Sequence, residues 1–233
     1  MQWTAADGSG HPQPIAGSRS VADIPGSVSP DGDTLAFIRQ TETSGDVYVL
    51  SLRGAFPPRP VVNTSAYEGG PQFSPDGRLI AYASDESGQM QVYVRPFAGL
   101  DRRWQVSTQG GTQPLWNKNG NEIFYRNGNK MMAVNISSSG DLTLSQPRQL
   151  FEQRYAFQNI SVANYDVSSD GQRFVMVKDE AGSGPLNVVL NWFEELKARV
   201  PTRSRHANPR SWPSEVWIQA LISRFRWQIH SLC

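Results

Sequence analysis

Short runs of alternating apolar and polar residues recur along this chain, and each pair of runs is joined by the same tight turn. Residues 28–37 read VSPDGDTLAF, 73–82 read FSPDGRLIAY, 116–125 read WNKNGNEIFY, and 167–176 read VSSDGQRFVM. Alternation at period two marks strands with distinct faces. Proline suits the second position of a type I turn, Asp or Asn accepts a backbone hydrogen bond there, and Gly supplies the positive φ that closes a bulged hairpin. The turn residues are Asp31 and Gly32, Asp76 and Gly77, Asn119 and Gly120, and Asp170 and Gly171, at steps of 45, 43 and 51 residues. The third copy replaces Pro-Asp by Lys118-Asn119, which predicts a weaker turn.

Each unit continues in the same grammar. After 69–74 and 78–84, residues 91–97 alternate as a third strand and 102–107 read as a fourth. Third strands recur at 46–52, 130–136 and 186–192, and fourth strands at 59–64 and 144–151. Four local antiparallel strands repeated with a period near 45 residues predict an all-β chain, a β-propeller of four-stranded antiparallel blades with about four blades. The units fall near 25–64, 69–107, 112–151 and 162–192, with a partial one over 1–16. Two readings remain: residues near Gln13–Ala16 close a four-blade ring, or the chain is an incomplete propeller. The leftover strand at 1–8 favours the second. An incomplete ring bares an apolar face and a strand edge, so self-association is expected.

Residues 193–200 (FEELKARV) read as a short amphipathic helix, and 201–233 form a separate segment. That tail holds five Arg against one Glu, a local +4 within a total of +1, and three of the seven Trp. Over 214–233, Ile218, Leu221, Ile222, Phe225, Ile229 and Leu232 share one helical face, with Ser214 as cap. Such a helix could pack on the propeller or on a second copy, lie on a membrane surface, or be an extension foreign to the native chain. The expected division is therefore 1–200 propeller and 201–233 basic helical tail.

The near-zero net charge gives no argument for nucleic acid or acidic substrates. Cys233 is the sole cysteine, which excludes an intrachain disulfide. MQWTAADGSG carries neither a basic start nor an apolar run, so a signal peptide is not expected, and no 18-residue apolar stretch predicts a spanning helix. Three glycosylation sequons, at Asn63, Asn135 and Asn159, read as chance matches.

The repeat FSPDGRLIAYASDESGQMQVYVRPF resembles the TolB-like, WD-repeat-like propeller repeat of bacterial proteins. The stretch from Asn164 to Val200 is similar to the end of the propeller found behind bacterial eukaryotic-type serine/threonine kinases. The resemblance covers about residues 1–200. It implies a sensor or docking module outside the cytoplasm in a longer receptor, although the Gly-rich loop, His-Arg-Asp and Asp-Phe-Gly signatures of the kinase itself are absent from the chain. It implies no catalytic residue, because the repeated motif is a turn.

Enzymatic signatures are likewise missing. There is no Gly-x-Ser-x-Gly elbow, no Ser with Lys three residues on, no His-Glu-x-x-His and no Cys pair. His11, His206 and His230 all lie outside the complete repeats. No catalytic or metal site is therefore expected, although channel-facing Asp, Asn and carbonyl groups would suffice for Ca²⁺. The leading function is a non-enzymatic module that binds a protein or a small polar ligand; the alternative is a hydrolase with the propeller as body or accessory. Residues just before the innermost strands are the candidate binding set: Tyr67, Glu68, Gln72, Gln113, Trp116, Asn164, Tyr165 and Asp166.

Overall fold

The computed structural model describes residues 1–14, 22–54, 56–99, 102–137, 141–156 and 162–178. The chain divides into two units, 1–183 and 184–233, and every described residue lies in the first. The strand expected over 186–192, the helix over 193–200 and the tail over 201–233 fall outside the described residues.

A short hairpin pairs β1 (Gln2–Trp3) with β2 (Gln13–Pro14). Sheet I follows, with β3 (Ala22–Val28), β4 (Thr34–Gln40), β5 (Gly45–Ser51) and β6 (Arg59–Val62) in chain order. Sheet II repeats the meander with β7 (Glu68–Phe73), β8 (Leu79–Ser84), β9 (Gln91–Pro96) and the two-residue β10 (Trp104–Gln105). Sheet III holds β11 (Thr112–Trp116), β12 (Glu122–Asn127) and β13 (Lys130–Ser137). Its outer edge is shared by β14 (Thr143–Leu144) and β15 (Arg148–Glu152), both paired to β13. The continuous strand expected over 144–151 is thus two pieces, because Pro147 has no N–H to give the ladder. Sheet IV shows β16 (Tyr165–Val167) and β17 (Phe174–Met176). Every pairing is antiparallel, and no helix occurs among the described residues.

Period-two alternation explains how the sheets stack. In β8, Ile80 and Tyr82 pack with Ala36, Val47, Val49 and Val62 of sheet I. Ala81, one step along, packs with Trp116, Ile123 and Tyr125 of sheet III. In β12 the same division recurs: Ile123 and Tyr125 face sheet II, while Phe124 packs with Tyr165 and Val167 of sheet IV. Central strands therefore bury both faces, and each fully buried Ile or Phe contributes roughly 1.5–3 kcal/mol. Three seams result: sheets I–II, II–III and III–IV.

The repeated turns are built alike. Gly32 N–H donates to Ser29 O at 2.8 Å, and the Asp31 carboxylate accepts from Ser29 Oγ at 2.6 Å and Asp33 N at 3.0 Å. Ser29 Oγ in turn accepts from Thr34 N at 2.9 Å. Ser74 with Asp76 repeats the set (2.6, 3.1 and 2.9 Å), and Ser168 with Asp170 does so as well. The four turn glycines have φ between +71° and +78°. The third copy is not weakened in its backbone pattern. Gly120 N still reaches Asn117 O at 2.9 Å and Asn121 N reaches Asn119 Oδ1 at 3.1 Å, because an Asn carbonyl accepts as an Asp carboxylate does.

Successive turns also nest. A Cβ placed on Gly77 would lie 3.3 Å from Pro30, and one on Gly120 would lie 3.7 Å from Pro75. One on Gly171 would collide with the Asn117 amide.

Candidate binding face at the head of the inner strands

The inner strands β7, β11 and β16 start at the end of their sheets opposite the repeated turns, and β7 and β11 lie there beside the hairpins that join second to third strands. Both β7 and β11 begin with a bulge, where the register shifts between Gly69 and Gln72 and between Thr112 and Leu115. Gly70 sits there at φ 62° and Gln113 at φ 55°, each before a proline. Positive φ is natural for Gly70, whereas for Gln113 it carries a strain of about 1–3 kcal/mol. Two contacts hold the strained residue: Gln113 Nε2 donates to Val162 O at 2.9 Å, and Tyr165 Oη donates to Gln113 O at 2.8 Å.

The eight candidate residues fall into three groups, one at each seam. At the first seam, the Tyr67 ring lies against Gly45 and its amide donates to Asp85 Oδ1 at 2.8 Å. Glu68 beside it is fully buried, with Oε1 accepting from Thr64 Oγ1. Burial, reinforced by Asp46 and Glu86, raises its pKa above the ordinary 4.5 against the opposing Thr64 hydrogen bond. At the second seam, Trp116 Nε1 donates to Gln72 O at 3.1 Å, tying sheet III to sheet II. At the third seam, Gln113, Asn164 and Tyr165 come together, and burial pushes the Tyr165 phenol far above its usual range. Asp166 is exposed, and its carboxylate accepts from Val167 N at 2.8 Å. Glu68, Gln113, Trp116 and Tyr165 are buried, while Tyr67, Gln72 and Asn164 are partly open.

Arg126 organises the third seam and was missed by reasoning from sequence. Only 2% exposed, it donates from Nη1 to Ala156 O (2.7 Å) and Asn164 Oδ1 (3.3 Å), and from Nη2 to Gly128 O (3.1 Å) and Tyr155 O (3.4 Å). A signal existed: Arg126 follows the aromatic Tyr125 where the other copies place Ile38 after Phe37 and Ala83 after Tyr82. A guanidinium at a core position needs several acceptors, and the carbonyls of the crossover to sheet IV supply them.

Beside Arg126 lies a depression of about 380 Å³ between sheets II and III. Gln89, Gln109, Asn127 and Asn129 line it with amides, and Met90 adds an apolar surface. Asn127 Nδ2 is anchored to Gln109 O at 3.0 Å. A larger cleft of about 670 Å³ lies at the first seam, lined by Asn63, Thr64, Tyr82, Arg95 and Arg103. There Arg95 Nη1 donates to Val61 O at 2.7 Å, and Arg103 Nη1 pairs with Glu86 Oε2 at 2.6 Å. Among the described residues no group of three or more His, Cys, Asp or Glu is placed to hold a metal ion. His11 is exposed near the first hairpin, away from these seams in sequence and strand order. No described helix is long and apolar enough to cross a membrane.

Comparison with known proteins agrees with this architecture. Among solved structures, TolB from Acinetobacter baumannii superposes with a TM-score of 0.57 at 19% identity, over 78% of this chain and 43% of that one. A TolB-type protein from Agrobacterium tumefaciens gives a TM-score of 0.51 at 18% identity, over 63% of this chain and 54% of that one. The chain thus spans about half the length of these structures, and at such identities they show the fold alone. The family described as TolB beta propeller domain (PD40) matches residues 10–153, more than half of the sequence, and the chain belongs to that family.

Proposed function

We propose that this chain is a non-enzymatic binding module whose ligand is a protein segment, taken up at the head of the inner strands. The observation that carries the reading is the amide-lined depression beside Arg126 and the strained Gln113. Each Gln or Asn side chain offers both a donor and an acceptor, matching the alternating N–H and C=O groups of an extended peptide. Tyr67, Gln72, Asn164 and Asp166, the open members of the candidate set, extend that face along the neighbouring seams. Within a longer parent the module would work outside the cytoplasm; a role as the sensor of a receptor kinase rests on the resemblance of residues 164–200. Self-association through Val175 in β17 and Val177 just after it, 73% and 41% exposed, is part of the same proposal.

A displayed library of linear peptides selected on the full chain tests it. Peptides whose binding falls at least tenfold in Gln89→Ala and Asn129→Ala are expected. A selection yielding only peptides indifferent to both changes overturns the site. The hydrolase alternative is tested in parallel with p-nitrophenyl esters and peptide anilides, where turnover abolished by one Ser→Ala change would displace the binding reading.

A further inference from the structure

The first and second seams solve one structural problem with different chemistry. At the second seam the equivalent positions are Gln91, Ser107 and Gly111. Ser107 Oγ accepts from Val92 N at 2.8 Å and donates to Gln91 Oε1 at 2.5 Å, which also takes Gly110 N at 3.1 Å. The trio is neutral, and both oxygens have donors. At the first seam the same places hold Asp46, Thr64 and Glu68, with Glu86 close by. Here Thr64 serves Glu68 Oε1. Among the described residues, Asp46 Oδ1, Glu68 Oε2 and Glu86 Oε1 are buried with no hydrogen-bond partner.

The fold therefore does not require acids at these positions, since one blade further on it manages with an amide, a hydroxyl and a glycine. Three orphan acceptors in one seam lack hydrogens, and a bound proton converts one acceptor into a donor. We propose that Glu68, sealed between sheets I and II, keeps a proton in the folded chain at pH values where a free glutamate has lost it, and that losing it loosens this seam selectively. The site is thus a proton-operated joint between the first two blades.

The groups around Glu68 come from every element packed there. Asp46 stands on β5; Asp85 and Glu86 lie in the β8–β9 turn; Tyr82 is on β8; Arg95 is on β9; and Arg103 precedes β10. The cations have other partners: Arg103 is bound to Glu86 and stacked 5.5 Å over Tyr93, and Arg95 is bound to Val61 O. Asp85 is engaged by the Tyr67 amide. Burial raises the pKa of both Asp46 and Glu68. A carboxyl raised in the folded state binds its proton more tightly there than in the unfolded chain. Its stabilisation is complete below the ordinary 4.5 and is lost as pH rises through the folded value. Within that window the folded-to-unfolded ratio falls by up to about tenfold per pH unit for each such group.

The test uses the full chain. The Glu68 carboxyl ¹³C resonance, followed from pH 4 to 9, is expected to titrate well above 4.5. A midpoint at or below that value overturns the proposal, and would mean that buried water supplies the missing hydrogens. Urea midpoints should fall in the native chain as pH rises from 4.5 through the Glu68 midpoint, and flatten in Glu68→Gln. An unchanged slope in a folded Glu68→Gln also overturns it. Should Glu68→Gln not fold, Asp46→Asn serves, because removing one like charge must lower the Glu68 midpoint. Amide exchange locates the effect: as pH rises through the Glu68 midpoint, protection corrected for intrinsic rates should drop in β5 to β7 and hold in β11 to β13. An equal drop in both regions would show global unfolding and reject the joint.

Discussion

The second seam is packed by apolar side chains and a neutral polar trio beneath an amide-lined depression, whereas the first carries three acids, two arginines and a larger cleft. Both are made by the same repeat, with the same strand order and hairpin turns. At the second, Ala81, Val92, Val94, Ile123, Tyr125 and Val134 are essentially inaccessible, and Trp116 bridges to Gln72 O. At the first, Val47, Ile80 and Tyr82 still pack, but Arg95 stands where the next sheet has Val134. Packing and polarity are therefore separable in this fold: the apolar rows hold the sheets together, and the ends of the strands can be made neutral or ionisable.

Exchanging the two solutions should have the largest effect. Gly111→Glu places in the second seam the residue that the first one carries. A Cβ there would lie 2.8 Å from Ser107 Cβ and 3.0 Å from Tyr125, before any carboxylate is considered. With overpacking and an unpaired buried charge combined, a loss exceeding about 4 kcal/mol is expected. Urea unfolding followed by Trp fluorescence checks it; a variant within 1 kcal/mol of the parent would show that the seams are interchangeable.

A smaller loss is expected from Arg126→Met, which keeps the length and removes the donors. It leaves the Ala156, Tyr155 and Gly128 carbonyls to find new partners, at about 2–4 kcal/mol. Because these bonds join sheet III to the crossover, proteolysis should cut near 153–164 first, and the first two seams should keep their protection. Uniform susceptibility would contradict that localisation.

The smallest effect concerns the turns, where pH acts in the opposite sense to the first seam. Partial burial works against the Asp76 charge, yet the Ser74 hydroxyl, the Arg78 amide and the Arg78 guanidinium hold its pKa below the ordinary 3.8. Hydrogen bonds from Ser29 and the Asp33 amide do the same for Asp31, and from Ser168 and the Gln172 amide for Asp170. A depressed carboxylate stabilises above its unfolded value and loses that contribution as pH falls through the folded one. Ser74→Ala should cost about 1 kcal/mol at neutral pH and lessen the loss below pH 4. A steeper acid limb than the parent's would refute this reading of the turn.

Much of the sheet architecture was legible because it is local. Alternation and the turn spacing are written in contiguous residues, and the strands at 46–52, 78–84, 91–97 and 130–136 need only near neighbours to form. The role of Ser29, Ser74 and Ser168 was not recognised, although the serines repeat with the aspartates, because the Pro-Asp-Gly core alone accounts for a turn. Pairings between sheets were not legible at all. Nothing in the order of residues says that Tyr165 reaches Gln113 O, 52 residues earlier, or that Arg126 finds carbonyls 29 and 30 residues ahead. The candidate residues before the inner strands were placed by their position in the repeat. Whether each is open or sealed depends on the neighbouring sheet, as Glu68 and Asp166 show.

The nested turns have a direction. Pro30 sits against Gly77, Pro75 against Gly120 and Asn117 against Gly171, always an earlier side chain against a later glycine. A chain emerging from the ribosome would thus present each finished turn as the seat for one still to come, and every new unit brings its own bare glycine to it. Construction by addition at the growing end requires no change in what has already been built, which is the property a gene needs if it is to lengthen by duplicating one unit at a time.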